Sequence, residues 1–164
     1  MSMRNGVGVV CYVLLLTVTA AAQKITEQIE CGKPDQQHAI PVDDAPGHVY
    51  SISHTRCTYP KPANIGAAKK VAGEDVIFSE TSGSRVRWYG VYSEAMSNGD
   101  KLYYRHKGAG VLQDGAFTSG EDAWEVSGGT GSYKGYKGNG ICKLQPQADG
   151  TFLNKCRGEY TPPK

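Results

Sequence analysis

Between Val126 and Leu144 the chain reads VSGGTGSYKGYKGNGICKL, with six glycines at Gly128, Gly129, Gly131, Gly135, Gly138 and Gly140. This run restricts the fold more than any other stretch. No helix can begin at Tyr133, because Tyr133 to Gly138 alternates lysine and tyrosine with glycines that weaken a helix interior. That excludes a phosphate loop, which needs Gly-x4-Gly-Lys-Ser/Thr leading into a helix. The dinucleotide pattern Gly-x-Gly-x-x-Gly fails as well, since Lys134 stands where its last glycine belongs. What remains is a turn over Gly128–Gly131 followed by a strand from Tyr136. In that strand Gly138, Gly140 and Cys142 share one face, where missing side chains permit close backbone approach or sharp coiling.

The rest of the chain agrees with sheet. Short runs rich in Val, Ile, Tyr, Phe, Trp and Thr alternate with Gly, Asp, Asn and Pro clusters, which is the strand-and-turn signal. They predict about eight strands: 25–31, 48–58, 75–81, 85–94, 101–111, 122–127, 136–144 and 151–160. Ser82-Gly83-Ser84, Asn98-Gly99-Asp100 and Gln147–Gly150 read as tight turns, so the strands they join run antiparallel in a meander. Only Ala63–Val71 offers a turn or two of helix. Alternation assigns faces. Leu102, Tyr104, His106, Gly108 and Gly110 fall together, as do Val86, Trp88, Gly90 and Tyr92, and Trp124 with Val126. Tyr103, Arg105 and Lys107 lie opposite. One face made of large rings and glycines suits a tightly curved sheet closing into a single all-β antiparallel barrel. A two-sheet sandwich is the competing architecture.

Residues 1–22 read as a signal peptide. Arg4 precedes an apolar core, Gly6–Thr19, that is shorter than the ~18 residues of a spanning helix. Ala20-Ala21-Ala22 supplies small residues for cleavage before Gln23. The expected product, 23–164, is secreted or periplasmic, has the size of one domain, and keeps no membrane anchor. Cys11 leaves with the leader, and four cysteines remain. An even number in an exported chain implies two disulfides, with three possible pairings. The expected pairing is sequence-local, Cys31–Cys57 and Cys142–Cys156. A four-thiolate zinc site is the lesser alternative, because no Cys-x-x-Cys occurs. Without Arg4 there are 17 basic against 16 acidic residues, which gives no reason to expect nucleic acid as a partner. Lys134, Lys137 and Lys143 read as a solvated face.

Chemistry-bearing motifs are few. No Gly-x-Ser-x-Gly elbow and no His-Glu-x-x-His is present. His48, His54 and His106 are candidate bases or ligands because imidazole titrates near neutrality. His106 shares the apolar face with Tyr104; His54 shares a face with Tyr50 and Ile52. A metal at His54 and His106 would need a third ligand such as Glu80, and neither metal nor cofactor is expected. The candidate lining of a barrel interior is Trp88, Tyr92, Tyr104, His106, Trp124 and His54.

The segment VSGGTGSYKGYKGNG, 126–140, resembles the Gly-Gly-Thr-Gly-x-[Tyr/Phe]-x-Gly-x-x-Gly signature of the allene oxide cyclase-like barrel superfamily, which includes dirigent proteins and many uncharacterised bacterial proteins. The Cys142…Cys156 spacing and the closing Gly158-Glu159-Tyr160 resemble its exported, uncharacterised members. Gly47–Ser51 and Asn98–Tyr104 are weaker echoes. The likeness is specific over 100–160 and loose over 25–83. It implies an eight-stranded antiparallel barrel. It does not carry the cyclase reaction here, because Glu27, Glu30 and Pro34 lie in the right region but not in the family's order. Three functions stay open. The first is binding of a small hydrophobic or aromatic molecule without catalysis. The second is steering of a reactive substrate by pocket shape, as in a cyclase-like isomerase or a dirigent protein. The third is a structural module with a filled barrel.

Overall fold

The structure, a computed structural model, describes residues 21–164. The expected leader therefore lies outside the described residues except for its last two. Ten strands follow in order: β1 (Gln23–Cys31), β2 (Gln36–Pro41), β3 (Val49–Thr58), β4 (Asn64–Ile65), β5 (Ala68–Ser82), β6 (Arg85–Met96), β7 (Lys101–Gln113), β8 (Ala116–Gly129), β9 (Lys137–Pro146) and β10 (Phe152–Thr161). From β5 to β10 each strand pairs antiparallel with the next, as expected of a meander. β10 then pairs with β1, β1 with β3, and β3 with β5. The result is a closed ring of eight hydrogen-bonded strands, a barrel and not a sandwich. β2 and β4 are additions outside this ring, on β3 and β5.

Three features differ from the sequence reading. The suspected helix over 63–71 is instead the β4–β5 hairpin, turned at Gly66, whose φ of 59° a side chain would strain. β8 begins at Ala116 and not Asp122, because Asp114 and Gly115 both adopt positive φ and form a two-residue hairpin turn. In the glycine run, β8 extends through Gly128 and Gly129, one 3-10 turn covers Gly131–Tyr133, and β9 resumes at Lys137.

The ring is not closed equally all round. The β1–β3 ladder holds two residue pairs, Glu30↔Thr58 and Cys31↔Cys57. Gln23–Ile29 pair only with β10, and Ala68–Ala72 lie beyond the last β3 partner, Gly73. This seam is joined by side chains. Gln23 donates to the Asn64 carbonyl at 2.6 Å and accepts from the Gly66 N–H at 3.0 Å. The disulfide Cys31–Cys57 sits at the end of the same seam, while Cys142–Cys156 ties register partners of β9 and β10. Both pairings are the sequence-local ones.

The inward glycines make room for rings. A Cβ on Gly140 or Gly158 would fall 2.4 or 2.3 Å from the Trp124 indole, and also within 2.4 Å of a neighbouring backbone oxygen. One on Gly108 would strike Trp88 at 2.4 Å. Close backbone approach and space for aromatics are thus both required at these positions.

Candidate functional site in the barrel lumen

The lumen contains a cavity of about 410 Å3. Trp88, Tyr92, Tyr104, His106 and Trp124 line it, as alternation along β6, β7 and β8 places them. His54 does not. On β3 the lining residues are Ser51, Ser53 and Thr55, so His54 projects from the opposite face, where its Nδ1 lies 2.5 Å from Asp35. Its grouping with Tyr50 and Ile52 was right, but that face is the outer one. His54 and His106 therefore cannot share a site. Among the described residues no cluster of three or more His, Cys, Asp or Glu side chains is arranged to hold a metal.

Two groups of charge face the lumen. In the first, His106 Nε2 donates to Asp75 Oδ1 at 2.9 Å and Nδ1 donates to Asp122 Oδ1 at 3.1 Å. Trp88 Nε1 donates to the same Asp122 oxygen at 2.6 Å. Both ring nitrogens thus face carboxylates, an arrangement that suits the doubly protonated imidazolium. Burial works against that charge. The hydrogen bonds to Asp122 and Asp75, with their negative charges, outweigh it and hold the His106 pKa up at about 10. A histidine charged at neutral pH cannot serve as the general base that the sequence allowed.

In the second group, Lys70 Nζ donates to Glu27 Oε1 at 2.6 Å and lies 3.3 Å from Glu94 Oε2. It also donates to the Tyr160 hydroxyl at 3.3 Å. The Tyr59 and Tyr104 hydroxyls both donate to Glu94, so the Tyr92 hydroxyl is left to donate to Tyr59, at 2.6 Å. Tyr160 meets Tyr104 at 3.0 Å. The side chains of Lys70, Glu27 and Glu94 are 2%, 3% and 0% exposed, so the network is buried, with Lys70 and Glu27 at the cavity wall. Burial opposes the Lys70 charge, but Glu94, Tyr160 and Glu27 hold its pKa above the ordinary value. Burial raises Glu27 above the usual carboxylate range, and Lys70 only partly offsets this. It also pushes Tyr160 up to about 12, against the pull of Lys70.

Most of these charged residues escape sequence reasoning. Asp122 and Glu94 are in phase with Trp124 and Tyr92, so alternation alone could have turned them inward. Lys70 was hidden because its segment resembled a helix. Glu27 drew notice only for its place in the chain.

No family profile matches the sequence, and no curated protein matches it. A solved pterocarpan synthase dirigent protein superposes with a TM-score of 0.51 over 96% of this chain and 98% of that one, at 12% identity. The chain has a dirigent-like barrel fold. At that identity the likeness is one of backbone path. A dirigent-like barrel supplies eight strands whose inward residues meet at one axis, and the charged groups above belong to this chain's own sequence.

Proposed function

We propose that this dirigent-like barrel is exported and holds one small hydrophobic or aromatic molecule in its lumen. The observation that carries the reading is the cavity of about 410 Å3 walled by Trp88, Tyr92, Tyr104 and Trp124 with a few convergent polar groups. Ligand pockets commonly enclose ~300–1,000 Å3 with this kind of lining. A barrel filled by its own side chains would leave no such space, which weighs against a purely structural module. Two cross-strand disulfides suit an oxidising compartment, and no helix among the described residues is long and apolar enough to cross a membrane.

Titration calorimetry with 1-naphthalenemethanol tests the reading. Saturable one-to-one binding is expected, and Ser53→Trp, which fills the cavity from β3, should abolish it. Absence of saturable binding by this alcohol and by its amine and acid analogues, or full binding by the variant, would remove the proposal. A second reading has its own support. The fold neighbour is a dirigent protein, and carboxylates with a charged histidine face the cavity, so the barrel can also steer a reactive substrate by orientation. Native mass spectrometry of the protein from its host separates the two. A retained molecule released unchanged supports binding alone, and conversion to a single isomer supports steering. The likeness to the wider allene oxide cyclase-like superfamily rests on the 126–140 signature, and that to its exported members on the Cys142…Cys156 spacing and Gly158–Tyr160.

A further inference from the structure

Charge balance in the lumen narrows the ligand, if the binding reading holds. Each charged group contains one cation and two carboxylates: His106 between Asp75 and Asp122, and Lys70 between Glu27 and Glu94. With Lys70 and His106 protonated, the interior therefore carries two uncompensated negative charges. Protonating Glu27 still leaves one. Buried charge without a partner is costly, so such a lumen is incomplete electrostatically.

Three further observations point to what would complete it. Glu27 lines the cavity with a side chain 3% exposed, and its Oε2 has no hydrogen-bond partner. The bonds from His106 and Trp88 all end on Oδ1 atoms, so the Oδ2 atoms of Asp75 and Asp122 accept none of them. The walls also already accept an ammonium group. Lys70 Nζ lies 5.6, 5.9 and 5.5 Å from the ring centres of Tyr59, Tyr104 and Tyr160, within cation–π range. An anion finds no free counter-charge, because Lys70 and His106 are the cations that line the cavity and both are held by carboxylates.

We propose that the lumen takes a hydrophobic amine, with its ammonium group set against the unpartnered carboxylate oxygens and its hydrocarbon body among the aromatic rings. The amine supplies the missing positive charge and the N–H donors. A carboxylic acid of the same shape adds a further negative charge and is rejected.

Three probes of one shape decide it: 1-naphthylmethylamine, 1-naphthalenemethanol and 1-naphthoic acid, titrated calorimetrically at neutral pH. The amine should bind about tenfold tighter than the alcohol or better, with the acid weakest. An acid that binds as well as the amine, or an amine no better than the alcohol, overturns the proposal while leaving the cavity-binding reading intact. If none of the three binds, the cavity-binding reading itself fails. Glu27→Gln should lower the amine-to-alcohol affinity ratio several-fold. Because Glu27 also holds the buried Lys70, Asp75→Asn provides the same test from a side chain that is 15% exposed and outside that network. An unchanged ratio in a folded variant would overturn the charge argument.

Discussion

The two disulfides are alike in form and differ in what surrounds them. Cys142–Cys156 lies inside a ladder that runs without a break from Phe152↔Pro146 to Thr161↔Lys137. Cys31–Cys57 lies in a ladder of two residue pairs. The first ties strands that a hairpin and a full ladder already hold. The second closes the ring where backbone bonding stops and side chains take over. Along that seam Lys70 on β5 reaches Glu27 on β1, and Gln23 bonds to the β4–β5 turn. A meander can leave its last closure to side chains because every other strand is aligned by its neighbour. The buried lysine network is then a clamp, whereas Asp75, His106 and Asp122 sit at positions that backbone ladders pair on both sides.

The largest expected effect tests the clamp. Lys70→Ala leaves Glu27 and Glu94 buried without their cation and should cost about 3–5 kcal/mol by denaturant unfolding. A loss under ~1 kcal/mol would mean the seam does not depend on it. Next come the disulfides. Loop entropy alone gives about 3.5 kcal/mol for the separation of 26 and about 3 kcal/mol for that of 14. The paired Cys31→Ser and Cys57→Ser variant should lose more than this difference beyond the Cys142→Ser and Cys156→Ser variant, with faster amide exchange along β1. Equal losses would contradict the contrast between the two ladders.

His106 tests the other group. Its folded pKa is about 10 and its unfolded value about 6.5. The stability it contributes is complete below pH ~6.5 and is lost as pH rises through 10. Between pH 7 and 9 unfolding free energy should fall by about 2–3 kcal/mol from this group, and the slope should flatten in His106→Gln. A slope that His106→Gln leaves unchanged would place the lost proton elsewhere. The smallest effect is Gln23→Ala, which removes two exposed seam hydrogen bonds and should cost about 1 kcal/mol or less.

Much of the fold could be read along the chain. Period-two alternation placed Trp88, Tyr92, Tyr104, His106 and Trp124 inside, and turn residues gave the antiparallel order. The readings failed where local signals misled. ANIGAAKKV has the composition of a weak helix, but β4 pairs with β5 there and the segment gains more from the sheet than from its own propensity. The outward-facing His54 failed for another reason. Alternation groups residues by face, and without a partner strand it cannot say which face is inside when, as on β3, the rings Tyr50 and His54 lie on the outer face and Ser51, Ser53 and Thr55 on the inner one.

By itself the sequence determined the all-β class and the antiparallel order of β5 to β10, because these follow from periodicity and turn chemistry, whereas the choice among three cysteine pairings and between barrel and sandwich waited for the ring to close. The two charge groups were decided by tertiary structure alone. Glu27, Lys70 and Glu94 come from three strands, and Asp75, His106 and Asp122 from three; ring closure brings Glu27 to Lys70, and the register and curvature of β5 to β8 bring the second set within hydrogen-bond reach. Coulomb attraction and hydrogen bonding act over a few ångströms, and no spacing in one dimension encodes that distance.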